Sequence, residues 1–183
     1  MYDIIYADPP WDYKGQTQTG PNKKKSSSST DHYPTMKLSE LKKLDIPKIA
    51  NDDSLLFLWA TSPHLDQAIE LMKSWGFKYA TIAFVWDKMK TNPGFYTMSQ
   101  CEICLVGKRM GGKIPQPRGA RNIRQFIQFC REAHSKKPDE ARDRINKMFP
   151  SQKKIELFAR QQLEDWDSWG LDVNSEIQIE TRE

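Results

Sequence analysis

Apolar residues in this chain follow two rhythms, short unbroken runs and helical spacings, which succeed one another along it. Lys154 to Arg160 reads as a strand with Ile155, Leu157 and Phe158 as core members, and the runs Ile4 to Ala7 and Leu55 to Ala60 lack polar alternation. Such runs are strands covered on both faces, as in a parallel sheet. Phe77 to Trp86, where Ala80, Ile82 and Phe84 alternate with Tyr79, Thr81 and Ala83, and Cys101 to Val106 add two strands around a loop from Asp87 to Met98. Between the runs, Ser62 caps a helix with Pro63 at its first position, Leu65, Ala68, Ile69 and Met72 form its buried face, and Gly76 stops it. Pro138-Asp139-Glu140 opens a second helix with acids in its first turn and Ala141, Ile145 and Met148 inward. Ser39, Leu41 and Leu44 suggest a short helix that Pro47 ends or restarts, and Phe126, Ile127 and Phe129 fit a short strand or helix equally. The succession predicts an α/β fold, a mostly parallel sheet with helices on both faces.

The chemistry concentrates where the first run ends. Ile4 to Ala7 passes straight into Asp8-Pro9-Pro10-Trp11, so Asp8 sits at a strand tip. The prolines fix φ and donate nothing, so the backbone leaves the sheet along a stiff path and the Pro9 carbonyl is presented as an acceptor. A carboxylate and a carbonyl beside an aromatic suit an exocyclic amine on a planar base: the acceptors take its two N–H groups, and Trp11 stacks on or flanks the ring.

Asp8-Pro9-Pro10-Trp11 resembles the DPPW signature of the adenine-N6 methyltransferases, a family that includes the catalytic subunit of the messenger-RNA adenosine methyltransferase and bacterial and phage DNA enzymes. The resemblance continues through His32-Tyr33-Pro34-Thr35-Met36, Leu56-Phe57-Leu58-Trp59-Ala60-Thr61, Cys104-Leu105-Val106-Gly107, Lys137-Pro138-Asp139-Glu140 and Lys154-Ile155-Glu156-Leu157-Phe158-Ala159-Arg160. It implies a Rossmann-like fold in permuted order, catalytic strand first and cofactor strand last, with S-adenosylmethionine as cofactor. By the same match Asp8, Pro9, Pro10 and Trp11 are catalytic and Tyr33 is an active-site tyrosine. Asp8, Lys137, Phe158, Arg160, Gln162 and Asp172 are cofactor contacts, Arg160 and Gln162 toward the ribose and Lys137 toward the carboxylate. Ala159 stands where the family's strand carries glycine, Gln162 where some relatives carry histidine, and Leu171 replaces a polar residue. No G-x-G-x-x-G turn is present, so glycines alone would not mark a nucleotide site.

Composition and charge narrow the setting. A chain of 183 residues supports one core, expected here as a methyltransferase domain over 1–173 with a frayed polar tail over 174–183. No apolar run approaches the roughly 20 residues that span a bilayer, and no basic-then-apolar leader opens the chain, so a cytoplasmic protein without membrane attachment is expected. Cys101, Cys104 and Cys130 give an odd count without a disulfide framework; Cys101 and Cys104 lie in a strand pattern with no second pair, so no metal site is expected. Residues 12–31 are polar, with Lys23-Lys24-Lys25 and a serine run, and are expected to form a mobile basic loop, either a binding lid or a solvated insertion. Since Trp11 and Tyr33 bracket it, Lys23, Lys24 and Lys25 are candidate substrate contacts for phosphates. The segment from Lys108 to Arg124 is basic and Gly/Pro-interrupted, a phosphate-binding or solvated loop. His64 is expected as a surface or capping residue. The expected substrate is nucleic acid, DNA before RNA because no RNA-binding module is appended; a silent nucleic-acid-binding subunit is the competing class. No separate recognition segment stands out, so a homodimer or partner subunit is expected to complete the groove.

Overall fold

The computed structural model describes residues 1–12, 34–94, 96–131 and 136–182. β1 (Tyr2–Ala7) enters the middle of a seven-stranded sheet and is buried on both faces. Its Ile5 and Ala7 join one core while Ile4 and Tyr6 join the other. β2 (Ala50–Thr61) repeats the division, Leu56, Leu58 and Ala60 on the first face and Leu55, Phe57 and Trp59 on the second. This is the packing that unalternated runs require.

The remaining elements are α1 (Leu38–Leu41), a 3₁₀ turn at Ile46–Lys48, a second at Ser62–His64 leading into α2 (Leu65–Ser74), β3 (Phe77–Asn92), β4 (Ser99–Arg109), β5 (Phe126–Gln128), α3 (Asp139–Met148), β6 (Lys154–Leu157) and β7 (Asp167–Trp169). The strand order is β5-β3-β4-β2-β1-β6-β7. β1 runs parallel to β2 and β6, β3 to β5 and β6 to β7, whereas β4 is antiparallel to both β2 and β3. The sheet is thus mixed but mostly parallel, and the architecture is Rossmann-like. α1 and α2 supply Leu41, Ala68, Leu71 and Met72 to the first core, and α3 supplies Ala141 and Ile145 to the second. Strand order reverses at β1, whose neighbours β2 and β6 are reached by connections on opposite faces. A crevice at the carboxyl ends of β1 and β6 is where open α/β sheets take ligands.

Three expectations change. β3 does not stop at Trp86 but runs to Asn92, and β4 starts at Ser99, so the expected Asp87–Met98 loop is largely an antiparallel hairpin. β7, three residues long with Trp169 as its apolar member, has no counterpart in the sequence pattern. The tail is docked rather than frayed: the Glu180 carbonyl accepts the Asp45 N–H at 2.8 Å, Arg182 N–H reaches the Lys43 carbonyl at 2.7 Å, and Thr181 bridges Leu44. Ile177 and Ile179, two residues apart, pack on the first core and hold it there.

One ion pair ties α3 to β6. Arg142 donates to both oxygens of Glu156, at 3.0 and 2.8 Å, with both side chains buried, and also reaches Asp139. Burial pushes the Glu156 carboxyl above its ordinary value despite Arg142. Removing the cation strands that carboxylate, so Arg142→Met is expected to cost about 3–5 kcal/mol. Urea unfolding of the variant checks it, and a loss below about 1 kcal/mol, the scale of a surface pair, would place the pair's charge outside the core.

Candidate active site

Asp8 follows Ala7, which pairs Leu58 on one side and Leu157 on the other, so it stands at the carboxyl end of the sheet between neighbouring strand tips. Lys137, one residue ahead of the Pro138 N-cap of α3, donates from Nζ to Asp8 Oδ2 at 2.8 Å. The same ammonium lies 3.1 Å from Glu102 Oε2 and stands over the Trp59 ring at 5.7 Å. Glu102 is held in turn by Lys88 Nζ at 3.4 Å from Oε1. Two acids and two ammonium groups from β1, β3, β4 and the start of α3 thereby form one chain, formally neutral within itself.

Within that chain the groups differ in exposure. The Asp8 side chain is 22% exposed against 10% for both Lys137 and Glu102 and 8% for Lys88, so Asp8 is the member that meets an incoming molecule. Burial pushes its carboxyl up from the ordinary value, against the pull of Lys137. Burial opposes the Lys137 charge as well, yet Asp8 and Glu102 together hold that ammonium above the usual lysine range. For Glu102 burial is outweighed by Lys137 and Lys88, and its carboxyl lies below the ordinary value. A carboxylate with a raised affinity for protons, partly exposed and with one oxygen fixed by a lysine, is suited to accept a hydrogen bond and then a proton from an amine.

The residues after Asp8 are arranged differently from expectation. The Pro9 carbonyl is not free, since it accepts the Trp11 N–H at 2.9 Å, and the Pro10 carbonyl accepts the Met36 N–H at 2.8 Å. A carbonyl has two lone pairs, so Pro9 retains one. Trp11 is only 4% exposed: its indole N–H reaches the Trp59 carbonyl at 3.2 Å and its ring stacks on His64 at 5.8 Å. It braces the turn from within the core instead of offering an open stacking face. His64, expected as a surface or capping residue, is buried and stands at the N-cap position of α2, where its Nδ1 meets Thr61 Oγ1 at 2.9 Å.

The second half of the crevice follows β6. Phe158 has φ +60, an uncommon left-handed conformation for a residue with a side chain, and its ring meets Trp169 edge-on at 5.4 Å. That turn brings Ala159 N–H to the Trp169 carbonyl at 3.0 Å, and a Cβ at Gly170 would collide with the Ala159 carbonyl. The left-handed residue is therefore Phe158 itself, and Ala159 is accommodated in the position where the resemblance expects glycine. Arg160 is exposed past this turn, near enough to Asp8 to draw its carboxyl downward. Gln162 faces elsewhere: its amide donates to the Asn174 carbonyl at 3.0 Å and to Glu176 at 3.1 Å, tying the tail down. Asp172 is exposed on the turn after β7. Tyr33, Lys23, Lys24 and Lys25 lie outside the described residues, as does nearly all of the expected 12–31 loop.

The MT-A70 family model matches residues 2–172, nearly the whole chain. The chain belongs to the MT-A70 family. MT-A70 proteins are N6-adenine methyltransferases, and this member is 51% identical to the type II methyltransferase M.MunI of a Mycoplasma species, over 99% of this chain and 82% of that protein. It is 29% identical to an MT-A70-like N(6)-adenosine-methyltransferase of Arabidopsis thaliana and 28% identical to the N(6)-adenosine-methyltransferase catalytic subunit METTL3 of Homo sapiens. Each of these two matches covers 87% of this chain but only 22% and 26% of the relative. Glu102 and Lys88 of this MT-A70 chain do not stand out in the sequence. The one signal for them is a charge at an inward position of an apolar strand, Glu102 among Cys101, Ile103 and Cys104.

Proposed function

We propose that this chain transfers the methyl group of S-adenosylmethionine to the N6 amine of adenine in DNA. The observation that carries the reading is the Asp8–Lys137 pair at the switch point, in which Lys137 takes Oδ2 and the Oδ1 of Asp8 has no hydrogen bond among the described residues. DNA is preferred because the chain matches a type II methyltransferase over most of both proteins.

The residues fit the cofactor. Its amino-acid end is a zwitterion, and an ammonium and a carboxylate 2.8 Å apart at a strand tip present the complementary dipole. Asp8 and Lys137 would hold that end, with the Phe158 turn and Arg160 beside it toward the ribose; the role first given to Gln162 passes to Arg160. When bound, the cofactor supplies a methyl group on a positively charged sulfur. The adenine amine is a poor nucleophile because its lone pair is delocalised into the ring. Asp8 Oδ1 accepts one of its hydrogens and the remaining lone pair on the Pro9 carbonyl accepts the other, which frees the nitrogen lone pair to point out of the ring plane. Lys137 fixes the Asp8 carboxylate during this alignment, and the raised proton affinity of Asp8 suits it to receive the proton released from nitrogen, directly or through water.

Labelled S-adenosylmethionine, incubated separately with DNA and with RNA, tests the assignment when the products are digested to nucleosides. N6-methyldeoxyadenosine is the expected product; label in cytosine, in RNA alone or in neither would overturn it. For the lysine run the expectation is electrostatic. Neutralising Lys23, Lys24 and Lys25 together to Ala should lower the magnitude of the slope of log affinity against log salt by up to ~2–3 units, leaving saturating turnover nearly unchanged. Parallel salt plots for wild type and variant would remove these lysines from the interface.

A further inference from the structure

The β3–β4 hairpin leaves the sheet at the charged chain of the active site. Lys88 holds Glu102, and the next residue, Met89, lies in a left-handed conformation with φ 53. From Asp87 to Asn92 β3 takes five residue steps while β4 takes two from Cys101 to Ser99. That mismatch is a bulge, which bends a strand and re-aims the residues beyond it. The bulge is fixed by its own bonds: Asp87 Oδ1 accepts the Met89 N–H at 2.8 Å and the Gln100 amide at 2.6 Å. Three residues of β4 at ~3.3 Å each carry the hairpin about 10 Å beyond Glu102. Gly94 and Thr97 approach closely, for a Cβ at Gly94 would collide with the Thr97 carbonyl.

Beyond the Asp87 carboxylate, which the bulge engages in hydrogen bonds, what this projection displays is apolar and cationic. Tyr96 is 100% exposed, Met89 and Met98 are 56% and 59% exposed, and Phe129 emerges beside them. Met89 to Met98 contains Lys90 and no acid, and Arg131 is hydrogen-bonded through its N–H to the Lys88 carbonyl. Exposed aromatic and thioether side chains on a tip beside an active site are costly in water unless a partner covers them. A cationic surround matches a polyanion, and a flat ring with flexible apolar neighbours matches the faces of stacked bases.

We propose that the β3–β4 hairpin is the DNA-intruding element of this enzyme, with Tyr96 entering the base stack next to the target adenine and filling the space vacated when that base turns toward Asp8. The proposal rests on the reading of duplex DNA as substrate. An adenine amine inside a duplex is out of reach of a crevice, so the base must leave the stack, and the cost of unstacking falls when a side chain replaces the lost contacts. Met89 and Met98 flank the ring and adapt to the neighbouring pairs. Tyr96 is here a positioning residue, acting on the duplex and not on the transferred group.

The test begins by mapping where the wild-type enzyme places methyl groups in a plasmid. A synthetic duplex of that sequence with 2-aminopurine at the target reports unstacking by fluorescence, and a second duplex with an abasic site facing the target adenine weakens the hold on that base in advance. With Tyr96→Ala at saturating protein, the fluorescence rise should shrink about fivefold and methylation of the intact duplex should slow roughly tenfold, the scale of one lost base–aromatic stack. Its rate on the abasic-facing duplex should stay within about twofold of wild type, since little stacking remains to be replaced. Tyr96→Phe should behave as wild type on both. Equal fluorescence and rate for Tyr96→Ala and wild type on intact duplex would overturn the proposal, as would equal slowing on both duplexes. Loss of self-association on sedimentation, with both rates intact, would assign the tip to contact between copies instead. A wild type that methylates no DNA adenine would remove the substrate reading and this proposal with it, a result visible before any variant is made.

Discussion

Asp8→Ala is expected to lose methyl transfer by at least ~10²–10⁴-fold, the contribution of a positioned general base, while its melting transition stays near that of wild type. Both halves arise from the site. Asp8 is the most exposed of the four linked charges, and its Oδ1 accepts from the reacting amine in the proposed mechanism. Burial disfavours its ionised form, so removing it relieves a cost as it removes a bond to Lys137. Lys137 is not left stranded, because Glu102 remains 3.1 Å away. Asp8→Asn sharpens the test, since it keeps an acceptor of the same shape but cannot take a proton. If Asn restored turnover to within about tenfold, Asp8 would be an aligning acceptor and not a base. Near-normal transfer by Asp8→Ala would discard the central assignment.

Lys137→Met has the opposite profile, with loss of both stability and cofactor affinity. The substitution keeps the volume of the stem but leaves Asp8 and Glu102 with Lys88 as their remaining cation in the chain, at 3.4 Å from Glu102. An uncompensated buried carboxylate costs about 3–5 kcal/mol at neutral pH. The sign of the pH dependence distinguishes this from a packing defect. In wild type the Glu102 carboxyl lies below its ordinary value, so its contribution is present above the unfolded pKa and is lost as pH falls through the folded one. In the variant the lysine that dominates that lowering is gone, and both carboxyls are expected above their unfolded values. The native state then binds more protons than the unfolded chain, and stability falls as pH rises. Urea midpoints at about pH 5 and about pH 8 should therefore show a deficit against wild type that widens with pH; parallel profiles would mean that Lys137 acts through its stem. Calorimetry of S-adenosylmethionine binding should show a loss of roughly 1.5–3 kcal/mol, the scale of a charge-assisted hydrogen bond. Unchanged affinity would leave Lys137 as an organiser of Asp8 alone.

The sequence makes legible whatever a local pattern carries. The unalternated β1 run ending in Asp8 places the acid at a strand tip, because strand preferences act over a few residues. Ser62-Pro63 marks where helical backbone begins, but Ser62 is not the cap, since it lies inside the 3₁₀ turn capped by Thr61 and His64 is the N-cap of α2. Glu102 and Lys88 are not legible in this way. Their meaning depends on β4 lying antiparallel between β2 and β3, which sets Glu102 opposite both Thr61 and Trp86, and no local pattern dictates that pairing. A free Pro9 carbonyl is a sound inference from proline geometry, but the chain turns back so that Trp11 uses it. Trp11 reads as a surface for a base because it follows the acid, whereas the pull of the core on a large indole is stronger. The tail reads as frayed because polar residues, charged and uncharged, dominate its composition, although two isoleucines at strand spacing are enough to dock it.

The bond from Met36 N–H to the Pro10 carbonyl, with the Trp11–Met36 bridge beside it, forms a clasp across the turn that follows Asp8. The backbone just past the acid is thereby tied to the residues that lead into α1, two positions after Met36. Exchanging the basic segment around Lys23 to Lys25 for that of another member keeps both sides of this clasp in the chain, so such a chimera should retain the melting behaviour of its host.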